Sequence, residues 1–286
     1  MNQDMNQDMS PNINPDTTSD MKQEATAEPI LKMEEVSKAF GGVKALEKVS
    51  VKLYPGDILG IIGPNGSGKT TIVNSITGFI KPTAGRVYFK KKDITGMKPH
   101  KIADMGVTRT FQIMRPYYSL PAYKNLVIPL FSPRAKRTGG WRGGGRLGDR
   151  HTVAIDILEE IGFERESYIP FKKASTLPTG YLKRLELARC LALQPEIIIC
   201  DEVFSGLSMS EIASMVPLIE RIQDDGITII MIEHRLRELF QVANRVMVMN
   251  FGKKLIEGTP SKVMEDKQVK EAYFGSEEVE EVMTYA

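Results

Sequence analysis

The 286-residue chain holds only two cysteines, Cys190 and Cys200. Two such residues in apolar surroundings build no disulfide framework, and their spacing matches neither a metal site nor a redox motif. They read as buried, reduced thiols. No apolar run approaches the roughly 20 residues needed to cross a bilayer; ITIIMI at 227–232 is strand-sized. The amino terminus lacks a basic region followed by an apolar one, so no secretion signal is expected. Charge of one sign is lacking too. The 38 Lys+Arg and 36 Asp+Glu leave a net +2, so overall charge does not point to nucleic acid. These absences predict a cytosolic protein that can still work against a membrane. What is present is 42% hydrophobic residues, enough for one large domain or one domain with two lobes.

Residues 1–28 contain a tandem MNQD repeat and six acids against one lysine. Such a segment cannot bury enough surface to offset its ordering entropy, so a disordered acidic tail is predicted, with a partner-binding tail as the other reading. Order is expected over 29–275, with a short acidic tail at 276–286. ILKMEEVSKAF and GRVYFKKKDI alternate like strands of an antiparallel layer. GDILGIIG is an apolar strand that runs into a glycine-rich loop, and KTTIVNSITGFI after it is helix-like. EIIICDE and GITIIMIEH are short apolar strands with the pattern of burial on both faces, as in a parallel sheet. Helices are predicted between them at 182–194, 209–224 and 235–243. Strands alternating with helices predict an α/β domain with a mostly parallel sheet. Residues 113–181 break that rhythm and read as an inserted helical lobe. It carries the basic Gly/Arg stretch 134–150, with six Lys/Arg, one Asp and the single tryptophan, Trp141. Three readings of that stretch stand: a solvated loop, a contact with anionic lipid or a membrane partner, or Arg-Gly binding of RNA.

GPNGSGKT, made of Gly63, Pro64, Asn65, Gly66, Ser67, Gly68, Lys69 and Thr70, fits G-x-x-x-x-G-K-[ST]. From average usage that pattern arises by chance in roughly one chain per hundred of this length. Its context of strand, loop and helix is also right, with Thr71 next in the helix. Glycines let backbone N–H groups turn inward around phosphate oxygens, and the helix end adds partial positive charge. Lys69 is expected to reach the β- and γ-phosphates of ATP, and the Thr70 hydroxyl to bind Mg²⁺. IIICDE supplies the other half. Asp201 can hold Mg²⁺ through water, and Glu202 can orient and polarise the attacking water. Both motifs end strands, where ligands sit in open α/β sheets. His234 ends a third such strand, where the γ-phosphate would lie, and reads as a phosphate sensor.

Phosphate loop, RTFQ (109–112), a glycine turn before a basic helix, CDE (200–202), SGLS (205–208) and a histidine after a strand follow in that order. The set resembles the ATP-binding subunit of an ABC transporter over about residues 30–275. The resemblance implies a P-loop NTPase fold: a RecA-like core, an antiparallel β layer and an inserted helical lobe. It implies a shared site in which two subunits pair head to tail. Each ATP then lies between one subunit's phosphate loop and the other's signature turn. Gln112 becomes the glutamine-loop residue touching Mg²⁺ and water, Phe40 the aromatic on adenine, and Ser205 the start of the D-loop. Pro178, Thr179 and Gly180 of LPTGY fall at the signature position. The implied partners are two transmembrane permease subunits, a second ATP-binding subunit, the same or paralogous, and indirectly an extracytoplasmic solute-binding protein, with no nucleic acid. The implied place is the cytoplasmic face of the cell membrane.

Two stretches depart from the family pattern. LPTGY replaces Leu-Ser-Gly-Gly-Gln, so Pro178 stands where a serine hydroxyl usually contacts the γ-phosphate, and Tyr181 where glutamine is usual. Thr179, Tyr181 or nothing stands in for that hydroxyl. Val203 follows the Asp-Glu pair where proline is usual. FGGVKAL, GVTRTFQIMRPY, ARCLALQPEI and IEGTPSKV…VKEAYFGSE resemble the branch that imports branched-chain amino acids. Alternatives are a lipopolysaccharide-export motor, or a soluble ABC ATPase acting on nucleic acid or in cofactor assembly. The 65 residues between Gln112 and Leu177 (177 − 112) carry no heptads, unlike the coiled coils of chromosome-type members.

Overall fold

A computed structural model describes residues 28–137 and 149–273. The tail before Glu28, residues 138–148 of the basic stretch with Trp141, and the tail 276–286 lie outside the described residues. Two sheets and a set of helices make up the described chain. The first sheet is antiparallel, in the order β2 (Val43–Leu53), β1 (Leu31–Phe40), β4 (Ala84–Phe89), β5 (Lys92–Asp93). The second has six strands in the order β10 (Lys253–Gly258), β9 (Arg245–Asn250), β3 (Ile58–Ile62), β8 (Thr228–Ile232), β7 (Ile197–Asp201), β6 (Val107–Arg109). All its pairings are parallel except β9 with β10.

The central strands β3, β7 and β8 are buried at every position, and the period of two explains how. Leu59, Ile61, Ile197, Ile199, Ile230 and Ile232 face the antiparallel sheet and the helix after the phosphate loop, α1 (Lys69–Ile76). Ile58, Ile62, Ile198, Cys200, Ile229 and Met231 face the opposite layer. There they meet α6 (Thr179–Leu191), α7 (Met209–Asp224) and α8 (Leu236–Val242). Between α1 and α6 come α2 to α5 in chain order. These are α2 (Pro99–Met105), which precedes β6, then α3 (Ala122–Leu130), α4 (Pro133–Arg137) and α5 (Arg150–Glu160). Leu126, Ala154, Ile157 and Phe163 of that helical region join the same core as the sheet. Two short helices, α9 (Pro260–Glu265) and α10 (Lys267–Tyr273), close the described chain. Among the described residues no helix is long and apolar enough to cross a membrane.

Several boundaries differ from the sequence reading. α1 stops at Ile76, because Gly78 at φ 77° leaves the helical region. The helix expected at 182–194 begins at Thr179 and ends at Leu191. Pro178, extended at φ −57° and ψ 158°, serves as its N-cap, so the apparent turn is the helix's first turn. The basic stretch is structural at both ends. The Arg134 guanidinium donates to the carbonyls of Gln194 and Met105, each at 2.7 Å, and Arg150 stacks 3.9 Å over the Phe131 ring.

Candidate active site

The phosphate loop is built from glycine where only glycine fits. Gly63 and Gly68 take φ 150° and 107°. A Cβ on Gly63 would strike the Met249 carbonyl and come 2.7 Å from the Ser67 hydroxyl; on Gly68 it would lie 2.6 Å from the Ala45 carbonyl. Lys69, only 7% exposed, lays its ammonium back on the loop, donating to the Gly63 and Pro64 carbonyls at 2.6 and 3.0 Å. Burial pulls its pKa down, and the Glu202 and Asp201 carboxylates oppose that pull. The Ser67 hydroxyl is buried with no hydrogen-bond partner. A cradle that excludes Cβ atoms, an unsatisfied hydroxyl and a lysine on carbonyls fit a phosphate chain, whose oxygens would take both donors.

A cleft of about 170 Å³ opens here, walled by Asn65 through Thr71, Ala45, Glu202, Ile232 and His234. Gln112 donates from Nε2 to Glu202 at 2.8 Å, and His234 Nε2 lies 3.3 Å from the other Glu202 oxygen. The structure therefore gathers Gln112, Glu202 and His234 at the cleft with Lys69 and Thr70. Glu202 itself sits at φ 53°, a left-handed conformation that costs an unbranched side chain about 1–2 kcal/mol. Two bonds hold it there: its N–H donates to the Ile232 carbonyl, and Lys183 donates to its carbonyl, both at 2.8 Å. The twist aims the carboxylate at the loop. Asp201 ends β7 below it, its carboxylate paired with Arg109 at 2.7 Å. Burial raises the Asp201 pKa, and the Arg109 charge works against that rise.

Among the described residues no three His, Cys, Asp or Glu side chains group as a metal site. One hydroxyl, one carboxylate and one amide are instead a donor set suited to Mg²⁺, which keeps several waters and shares its shell with phosphates. Thr70 is exposed at the cleft. Phe40, 48% exposed at the end of β1, carries the Lys38 ammonium 5.1 Å from its ring centre.

Pro178, Thr179, Gly180 and Ser205 are not among the cleft walls. Ser205 follows in the loop after β7, its N–H donating to the Glu202 carbonyl at 3.3 Å, and Gly180 lies by the start of α7. There Ser208 and Glu211 form a reciprocal cap, and the Glu211 carboxylate also accepts from the Gly180 N–H. A Cβ on Gly180 would strike that carboxylate. Tyr181 is turned into the helical region, its ring 5.0 Å from that of Phe163. Thr179 is exposed beside it. We expect Pro178→Ser to keep ATPase activity within about fivefold of the parent or raise it slightly, because a helix cap is worth about 1 kcal/mol. A dead Pro178→Ser subunit in a steady-state assay would mean a differently shaped turn.

Three buried groups beside the site carry no motif signal of their own. Arg109 was hidden in plain sight within RTFQ. Lys183 had no signal beyond its place in a basic helix. Glu233 precedes His234 and is 1% exposed. Its carboxyl accepts the Phe204 N–H at 3.1 Å and also the Val203 N–H. Proline at 203 would have no N–H to give, so the departure at Val203 has a structural use. Burial pushes the Glu233 carboxyl up to about 8, against those hydrogen bonds and the Lys183 charge. The unfolded chain deprotonates this group near 4.5, so its contribution to stability is full below that pH and fades as pH rises towards about 8. Melting temperature should therefore fall across that window in the parent, and less steeply in Glu233→Gln. Parallel curves would contradict the assignment.

A strand–loop–helix phosphate cradle with carboxylates at neighbouring strand ends defines a P-loop nucleoside triphosphatase. Comparison with known proteins narrows this. Residues 46–205 match the family described as ABC transporter. The chain is 35% identical to the high-affinity branched-chain amino acid transport ATP-binding protein LivG of Escherichia coli K12, over 87% of this chain and 99% of that one. It is 32% identical to the BraF counterpart of Pseudomonas aeruginosa, over 86% and 98%. The ADP conformation of MJ1267, an ATP-binding cassette of an ABC transporter, superposes with a TM-score of 0.74 at 34% identity, covering 87% of this chain and 99% of that one. The chain belongs to the ABC transporter family, as an ATP-binding, ATP-hydrolysing subunit.

Proposed function

We propose that this subunit drives an importer of branched-chain or related amino acids from the cytoplasmic face of the membrane. The observation that carries the catalytic half is Glu202, held between Gln112 and His234 at the wall of the phosphate-loop cleft. The solute half rests on the LivG and BraF similarities. Residues 29–275 form the working cassette in this reading, with 113–181 as its helical lobe.

Each residue has a task. Lys69 exchanges loop carbonyls for the β- and γ-phosphates of ATP, and Ser67 and the loop amides hold the rest of the chain. Phe40 stacks on adenine. Thr70, Gln112 and Asp201 would hold Mg²⁺, which would supply charge neutralisation on the phosphates. Glu202 accepts a proton from the attacking water, while Gln112 and His234 keep its carboxylate in place. A second ATP-binding subunit brings Pro178, Thr179, Gly180 and Ser205 to complete the site, because this chain's own copies lie off the cleft wall. An apolar groove of about 350 Å³, lined by Phe79, Phe111, Tyr117 and Ile128 next to Gln112, suits a segment of a transmembrane permease. A solute-binding protein on the far side acts through the two permeases. ATP binding closes the pair of subunits, closure turns the permeases, and hydrolysis reopens it.

Expressed in a strain that lacks its own subunit, the protein should restore uptake of labelled leucine, isoleucine or valine, and Glu202→Gln should not. ATPase activity in membranes without uptake of any of the three would overturn the solute assignment and leave a motor for another cargo.

A further inference from the structure

One buried cation ties together the phosphate-loop helix, the end of β7 and the segment before Gln112, and none of the roles above uses it. Arg109 ends β6, and its side chain is 8% exposed. Its Nη1 donates to Asn74 Oδ1 at 2.6 Å, and its Nη2 to Asp201 Oδ2 at 2.7 Å. Asn74 lies one turn beyond Thr70 on α1. The Arg109 Nε donates to the Thr110 carbonyl at 3.3 Å. The guanidinium lies 4.8 Å from the centre of the Phe111 ring and 5.6 Å from that of Phe79, and those two rings meet edge to face at 5.9 Å. Phe111 is the residue before Gln112.

We propose that Arg109 is a positioning residue that fixes the Asp201 carboxylate for Mg²⁺, in register with the phosphate-loop helix and the glutamine loop. The physical case is one of geometry and cost. A planar fork can bond two acceptors in fixed relative positions, which an ammonium cannot. Here the acceptors sit on α1 and β7, so the fork sets the distance between the Thr70 helix and the Asp201 strand. Two aromatic rings fix the plane of the fork. A carboxylate that is 6% exposed would be left without a partner if the fork were removed. An unpaired buried carboxylate is strongly unfavourable and turns away to find another. The cation also repels Mg²⁺, so two effects oppose each other. Their balance decides the sign of the test, and positioning requires that losing the fork weakens Mg²⁺.

This inference rests on the proposed reading of the site, and one titration separates the two. Binding of a fluorescent ATP analogue is measured at equilibrium, first in EDTA and then with Mg²⁺ added stepwise. The subunits are the parent, Lys69→Ala, Arg109→Met, Arg109→Lys and Asn74→Leu. If the site is misread, Lys69→Ala binds like the parent. If the site is right, Arg109→Met should match the parent in EDTA but need about tenfold more Mg²⁺ for the half-maximal gain in affinity. Arg109→Lys should recover only part of that shift, because it keeps the charge and loses the fork. Asn74→Leu removes one arm, leaves the ion pair, and should shift the midpoint about threefold, so the test stands even if Arg109→Met does not fold. A Mg²⁺ midpoint unchanged or lowered in the folded Arg109 and Asn74 variants would overturn the proposal.

Discussion

Glu202→Gln should bind ATP as tightly as the parent and hydrolyse it about 10²–10⁴ times more slowly, the range a general base contributes. The substitution is nearly isosteric. Gln at 202 can still accept from Gln112, and the bonds from Lys183 and to Ile232 involve only backbone atoms of residue 202. The twisted backbone at φ 53° should therefore survive. What disappears is a basic oxygen aimed at the cleft. A single-turnover assay with labelled ATP separates the two effects, since binding and cleavage are read independently. Near-parent cleavage would remove Glu202 from its role and leave its strained geometry without a chemical reason.

Lys69→Ala should lose both binding and turnover. The lysine is 7% exposed and bonded only to loop carbonyls, so it is poised for an anion rather than committed to a structural partner. Each charge-assisted bond to a phosphate is worth about 1.5–3 kcal/mol, so losing one costs at least tenfold in affinity. Two lost bonds would cost more than a hundredfold. The fold should tolerate the change, because the carbonyls of Gly63 and Pro64 can turn to water at the cleft. Equilibrium binding of a fluorescent ATP analogue, together with a melting curve, checks both statements. Parent-like affinity in a folded Lys69→Ala subunit would withdraw the phosphate-loop assignment.

The phosphate loop was legible because its chemistry is local: glycines, lysine and hydroxyl lie within eight residues, and the strand and helix around them announce themselves. The central strands were legible for the same kind of reason, since burial on both faces leaves unbroken apolar runs. Gln112, the Asp201–Glu202 pair and His234 could be read only as an ordered set, because they come together from three segments. Less could be read where long-range contacts decide. β2 and β10 carry mixed patterns, and β9 reaches its place through parallel pairing with β3, distant in sequence. The start of α6 at Thr179 depends on Pro178 acting as a cap rather than a turn. The left-handed backbone of Glu202 follows from bonds to Ile232 and Lys183, and no local signal encodes it. Arg109 is one letter of a motif whose neighbour, Gln112, drew the attention; its partners Asn74 and Asp201 lie 35 and 92 positions away. Val203 stood out only as a missing proline; the N–H it gives to Glu233 shows in the fold alone.

In the proposed function, nucleotide held on this chain's phosphate loop is completed by a second ATP-binding subunit, and a second copy of this chain is the partner that can be tested alone. Sedimentation of Glu202→Gln with and without ATP and Mg²⁺ tests it most directly. The subunit should be a monomer without nucleotide and a dimer with it, and adding Lys69→Ala to the same chain should abolish the shift. A subunit that binds ATP yet stays monomeric at every concentration reached would contradict the account of a shared site formed by two copies of this chain.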